Sequence, residues 1–170
     1  MPRPYALPVE EVSCPEGECH MGKRVKLVHS RHRSRLEEVL RDGLKATSEF
    51  DDLGLEMRRG VVYCWMRKED DKMWGQKPDH VYFEVTVAED RCRVAEMDFA
   101  SIAMMYLQGD RKPKNAEAAG LLAQVYKVTS VPLSDYTEGR FWTPEVLVKG
   151  DIDPECIGLP GEDAQSDDVV

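Results

Sequence analysis

The chain has 170 residues, 42% hydrophobic and 32% charged, with 23 Lys and Arg against 32 Asp and Glu for a net charge of −9. That length suits one domain with a genuine core, and no apolar run reaches the ~18 residues that a membrane span needs. Overall acidity argues against a protein that coats duplex DNA by releasing counterions.

The charge is unevenly spread. Residues 151–170 hold seven acids and no base, which leaves residues 1–150 with 25 acids against 23 bases, a balance of only −2. Residues 23–35 carry Lys23, Arg24, Lys26, Arg31, Arg33 and Arg35 and no acid. A near-neutral body with one basic stretch is compatible with a local cationic mouth for one anionic ligand or a single strand. The five cysteines are scattered, and Met1-Pro2-Arg3-Pro4 leads into no apolar signal core. They read as reduced thiols in a cytoplasmic protein.

Pro2, Pro4, Pro8 and Pro15 make residues 1–22 an irregular arm. Within it Cys14, Cys19 and His20 offer three ligands, but zinc wants a fourth and no second Cys/His pair stands at finger spacing, so no metal site is expected. Val25, Leu27 and His29 alternate with Lys26 and Val28, which predicts a short strand ending near His29. Ser34-Arg35-Leu36-Glu37 has capping-box spacing, Leu36, Val39, Leu40 and Leu44 follow at helical spacing, and Gly43 is a C-terminal stop.

Residues 45–59 read as a polar loop, Gly60–Trp65 as a second strand, and Lys68–Trp74 as a short helix or turn. Val81, Phe83, Val85 and Val87 alternate with Tyr82, Glu84 and Thr86, the clearest strand signal in the chain. Asp98–Leu107 reads as a helix capped by Asp98, Asn115–Leu122 as an Ala-rich helix, and Gln124–Val131 as a strand stopping before Pro132. Glu145–Val148 is a last strand, and 159–170 an acidic, disordered tail. Several short strands with few, short helices predict a compact α+β domain over 23–158.

No P-loop, GxGxxG, His-Glu-x-x-His or GxSxG motif occurs. What remains is a spaced set. Val28-His29-Ser30 with Leu36, Val39-Leu40 and Gly43-Leu44 resembles the opening of ADP-ribosyltransferase-fold proteins. Gly60-Val61-Val62-Tyr63 and the later Trp74 resemble their glycine-led strand and following aromatic. Pro144-Glu145-Val146-Leu147-Val148 is similar to the glutamate segment of DarT-type DNA ADP-ribosyltransferase toxins.

The resemblance implies two small antiparallel sheets around an NAD+ cleft, with short peripheral helices. It implies that Glu145 is the catalytic carboxylate, stabilising oxocarbenium character on the nicotinamide ribose. His29 would hydrogen-bond the adenosine ribose, Ser30 or its backbone would meet the nicotinamide amide, and Tyr63 would line the same cleft. Trp74 would stack on the cationic ring, and Arg31 would face the pyrophosphate. Thr143 stands where arginine-directed members carry a second acid or glutamine, which disfavours arginine acceptors.

The loop before the glutamate holds Tyr136, Arg140, Phe141 and Trp142, a set suited to stacking a base and touching a phosphate, so a nucleobase in single-stranded nucleic acid is the expected acceptor. An inhibitory protein partner would accompany a toxin. The alternatives are an NAD+-dependent RNA 2′-phosphotransferase-like enzyme and a catalytically silent binding or regulatory module of the same fold.

Overall fold

The computed structural model describes residues 22–47, 53–72, 77–108 and 112–160. The proline-rich arm with Cys14, Cys19 and His20, the acidic tail from 161 onward, and Trp74 all lie outside the described residues. Among the described residues, seven strands form one antiparallel sheet: β1 (Arg24–His32), β2 (Val61–Trp65), β3 (His80–Ala88), β4 (Cys92–Glu96), β5 (Val131–Pro132), β6 (Pro144–Lys149) and β7 (Ile157–Gly158). Their order is β5-β4-β6-β2-β1-β3-β7. Three α-helices among the described residues accompany them, α1 (Leu36–Asp42), α2 (Met97–Gln108) and α3 (Pro113–Thr129). No helix among the described residues is long and apolar enough to cross a membrane.

The α+β expectation holds, but the two separate sheets do not. The strands expected to form two sheets are continuous, because β2 pairs with β6 through five residues on one side and with β1 on the other. That second join is slight. A single register pair, Val28 opposite Trp65, connects β1 to β2, whereas β1 and β3 are zipped along nine residues. The sheet is therefore whole in topology and weakly stitched at its middle.

Strand alternation assigns the two faces. Val25, Leu27, Val62, Cys64, Phe83, Val85, Val94, Val146 and Val148 pack with Val39 of α1 and with Leu44 on one face. Val61, Ala95 and Leu147 pack with Ala100 of α2 and Tyr126 of α3 on the other. Helix α1 stops where expected: Gly43 takes φ +76°, its N–H donates to the Val39 carbonyl, and a Cβ there would sit 2.3 Å from the Ile152 carbonyl oxygen. Only glycine suits both the left-handed φ and that close approach.

Two local expectations are corrected, and one strand is added. The capping box at Ser34 does not form. A 3-10 turn (Arg33–Arg35) precedes α1, and His32 caps it by accepting the Ser34 N–H, while Arg35 at the start of α1 makes no side-chain cap. The strand read over Gln124–Val131 is mostly the C-terminal half of α3, because Ala119, Ala123 and Tyr126 recur at helical spacing and bury one side. Only Val131–Pro132 is extended. Strand β4 went unpredicted, since its charged residues Arg93 and Glu96 interrupt any apolar alternation.

A buried carboxylate at the open seam

Glu145 is the second residue of β6, opposite Trp65 on β2 and Ala95 on β4. By alternation it shares the α2–α3 face with Leu147. His29 lies on β1 beside the single Val28–Trp65 pair and shares the other face with Leu27. The two nonetheless line one cleft of about 370 Å³, because the sheet is open beyond that pair. Ser30, Arg31 and Tyr63 line it as well, so five of the six residues expected around NAD+ meet there. Trp74, the sixth, is outside the described residues.

A continued β1–β2 ladder would set Ser30 opposite Tyr63. Instead the Tyr63 carbonyl accepts a bond from the His29 ring, at 2.7 Å from Nδ1. A carbonyl can only accept, so Nδ1 carries the proton and Nε2 is the bare lone pair. That Nε2 is buried and has no hydrogen-bond partner among the described residues. Burial is the main force on the ring, reinforced by nearby Arg31 and opposed by the Tyr63 bond, and it lowers the His29 pKa to about 4. His29 is thus a neutral ring at the cleft lining with a buried lone pair on Nε2.

Glu145 is 3% exposed, and its neutralising partner is Arg58, itself 3% exposed. Arg58 Nη1 donates to Glu145 Oε1 at 2.6 Å, the Tyr126 hydroxyl donates to the same oxygen at 2.7 Å, and Arg58 also donates to the Tyr126 oxygen at 2.8 Å. Among the described residues Oε2 takes no protein donor. Burial works to lower the Arg58 pKa, but attraction to Glu145, then to Tyr126 and Tyr63, outweighs it and holds the guanidinium above its ordinary value. Burial and the adjacent carboxylate both raise the Tyr126 phenol, which stays a donor. The Tyr63 hydroxyl donates to the Arg58 carbonyl at 3.1 Å and its ring lies 4.8 Å from the guanidinium, fixing the loop that delivers Arg58.

The walls divide by chemistry. Val62, Trp65, Met97 and Met104 supply apolar surface. Arg31, His32, Arg35, Lys45, Arg58 and His80 supply cations or cation-forming rings, and among the described residues Glu145 is the one acidic residue lining the cleft. Arg35 pairs with Glu38 and Lys45 with Asp151, both at exposed positions. Among the described residues Arg31 has no ion-pair partner. The Ser30 hydroxyl is committed elsewhere: it donates to Asp71, a fully buried carboxylate that Tyr82 also contacts. A ligand beside Ser30 would meet its main chain.

The four residues expected to hold an acceptor are not on the cleft wall. Tyr136 and Phe141 stack at 5.8 Å between centroids and pack against the core. Arg140 donates to the Thr129 carbonyl at 3.4 Å and lies 5.6 Å from the Phe141 ring. Arg140 and Trp142 are exposed, Trp142 at 77%; the Lys72 ammonium lies 4.2 Å from the Trp142 ring centroid and donates to its carbonyl, and the buried carboxylate of Glu96 accepts from its N–H.

Arg58 and Tyr126 escaped the sequence reading. Arg58 sits in a polar stretch 87 residues from its partner, and Tyr126 lies between Val125 and Val128, whose content mimics a strand. Comparison with protein-family models, with curated proteins and with solved structures finds no match to this chain.

Proposed function

We propose that the chain is an NAD+-dependent mono-ADP-ribosyltransferase acting on a nucleobase in single-stranded nucleic acid. The observation that carries this reading is the meeting of Glu145, His29, Ser30, Arg31 and Tyr63 in one cleft, although 116 residues separate the first two in sequence. The donor set fits the dinucleotide. His29 Nε2 can accept from a ribose hydroxyl, the cationic rim suits a diphosphate, and the apolar wall suits a planar ring.

NAD+ would supply an ADP-ribosyl group on a nicotinamide leaving group. The bond from ribose C1′ to the ring nitrogen breaks, and its electron pair leaves with the ring. The bond formed joins C1′ to the acceptor, whose proton must be taken. Glu145 suits this chemistry because Arg58 and Tyr126 both bind Oε1 and lock the carboxylate in place, leaving Oε2 for a hydroxyl or for developing positive charge. A fixed, buried carboxylate stabilises a cationic transition state without reorganising. Exposed Trp142, three residues before Glu145, is the group left to stack on an acceptor base.

A second reading draws on the rim. His32 and His80 line the cleft with Arg31 and Arg35, a combination suited to gripping a phosphomonoester, as an RNA 2′-phosphotransferase-like enzyme must. Loss of phosphate from a 2′-phosphorylated RNA in the presence of NAD+ would select it.

Calorimetric titration with NAD+ tests the binding step. The full chain should bind, and Arg31→Ala should bind about tenfold more weakly, the loss of one charge-assisted contact. Absence of any heat at millimolar NAD+ would remove the dinucleotide from the cleft.

A further inference from the structure

A surface helix normally buries one stripe and turns polar residues outward on the other. Helices α2 and α3, which pack side by side, do not. Helix α2 buries Met97, Ala100 and Ala103, and α3 buries Ala119, Ala123 and Tyr126. Half a turn away, on the outer side, stand Ile102, Met105 and Tyr106 of α2 and Leu121, Val125 and Val128 of α3. Met105 is 70% exposed and Leu121 and Val128 are 65% exposed. The spacings i, i+3, i+4 and i, i+4, i+7 make each set a continuous stripe. A helix pair that is apolar on both sides has the pattern of one that is covered.

We propose that this outer face is the two-fold contact of a homodimer. Charge selects the occupant. A chain of net charge −9 repels its own copy, so self-association needs a face on which like charges do not meet. The two helices carry only Asp98, Lys114, Glu117 and Lys127, which cancel. A self-complementary apolar patch satisfies a two-fold axis without any charge match. An anionic membrane would call for a cationic surplus, and the two helices have none, since Asp98 and Glu117 offset Lys114 and Lys127. A partner chosen by charge would find little to pair with.

The area is also suitable. The outer side chains expose roughly 600 Å² per copy, at the top of what a lone monomer shows and close to the ~800 Å² per partner of a standard interface once a polar rim is added. Met97 and Met104 of α2 line the cleft, so the contact would brace one cleft wall. The proposal does not rest on the transferase reading.

Sedimentation velocity on the full chain from about 1 to about 100 µM tests it. A species of twice the 19.4 kDa chain mass should dominate at the upper end. Leu121→Glu should raise the dimer dissociation constant at least about 30-fold, since it sets like charges across the axis, with unchanged far-UV circular dichroism. Met105→Glu should do the same, and it decides the matter if Leu121→Glu disturbs folding. A wild-type chain that stays monomeric at every concentration overturns the proposal. So does a dimer indifferent to both substitutions, or a monomer that floats with phosphatidylserine vesicles.

Discussion

Replacing Glu145 by glutamine should cost stability as well as activity. Arg58 and Glu145 have side chains only 4% exposed and lie 2.6 Å apart. Breaking a buried ion pair by removing one partner costs about 3–5 kcal/mol. In Glu145→Gln an amide oxygen can still accept from Arg58 and Tyr126, so the low end, about 3 kcal/mol, is expected. Arg58→Met should cost a similar amount, since the carboxylate then keeps only the Tyr126 hydroxyl. The double variant removes both charges together, and Met fills much of the apolar space of the arginine stem. It should lie near either single variant, giving a coupling of about 2–3 kcal/mol. Urea unfolding at pH 7, with all four proteins sharing one m-value, reads these differences directly. Two singles that each cost under about 0.5 kcal/mol and simply add would show that the pair is neither buried nor coupled.

His29 gives a pH dependence with a definite sign. Its folded pKa, about 4, lies below the ordinary 6.5 because burial disfavours the imidazolium. As pH falls through 6.5 the unfolded chain takes the proton first, so stability declines from there to about pH 4 and His29 contributes no further change below it. The 2.5-unit gap amounts to about 3 kcal/mol. His29→Asn retains a donor for the Tyr63 carbonyl and should flatten the stability curve over that window; parallel curves for the two proteins would contradict the burial argument. Trp142→Ala, at an exposed position, should leave stability within about 0.5 kcal/mol of wild type. It should weaken binding of a labelled single-stranded oligonucleotide by about 1–3 kcal/mol, the contribution of one stacked base. Unchanged fluorescence anisotropy would take Trp142 out of acceptor binding.

Strands β1, β3 and β6 were legible in the sequence because each buries its apolar residues in register with the pleat. Strand β4 was not. Its Arg93 disturbs the pattern but is satisfied in three dimensions, donating at 2.8 Å to both the hydroxyl and the carbonyl oxygen of Ser130 after α3. Residues Gln124–Thr129 misled in the opposite direction. Val125 and Val128 mimic strand content, yet they are the outer stripe of a helix whose inner stripe includes Tyr126.

At the site, His29 and Glu145 could be singled out through the resemblance of their segments to the transferase family, although β1 runs on to His32 instead of ending at His29. Arg58 could not, since a buried arginine is recognised only by the carboxylate that neutralises it, and that partner is brought near by the β2–β6 pairing. Tyr136 and Phe141 show the reverse case. Their composition suits base stacking, but their rings are spent on the core.

The most direct measurement is mass spectrometry after incubating the full chain with NAD+ and mixed short single-stranded DNA and RNA. Glu145→Gln and the Arg58→Met/Glu145→Gln double variant run beside it, each first shown to be folded. A mass gain of one ADP-ribose on an oligonucleotide, with nicotinamide released and both events lost in the two variants, is the predicted result. An intact NAD+ pool with unmodified oligonucleotides in the wild-type reaction would contradict it and favour a catalytically silent module.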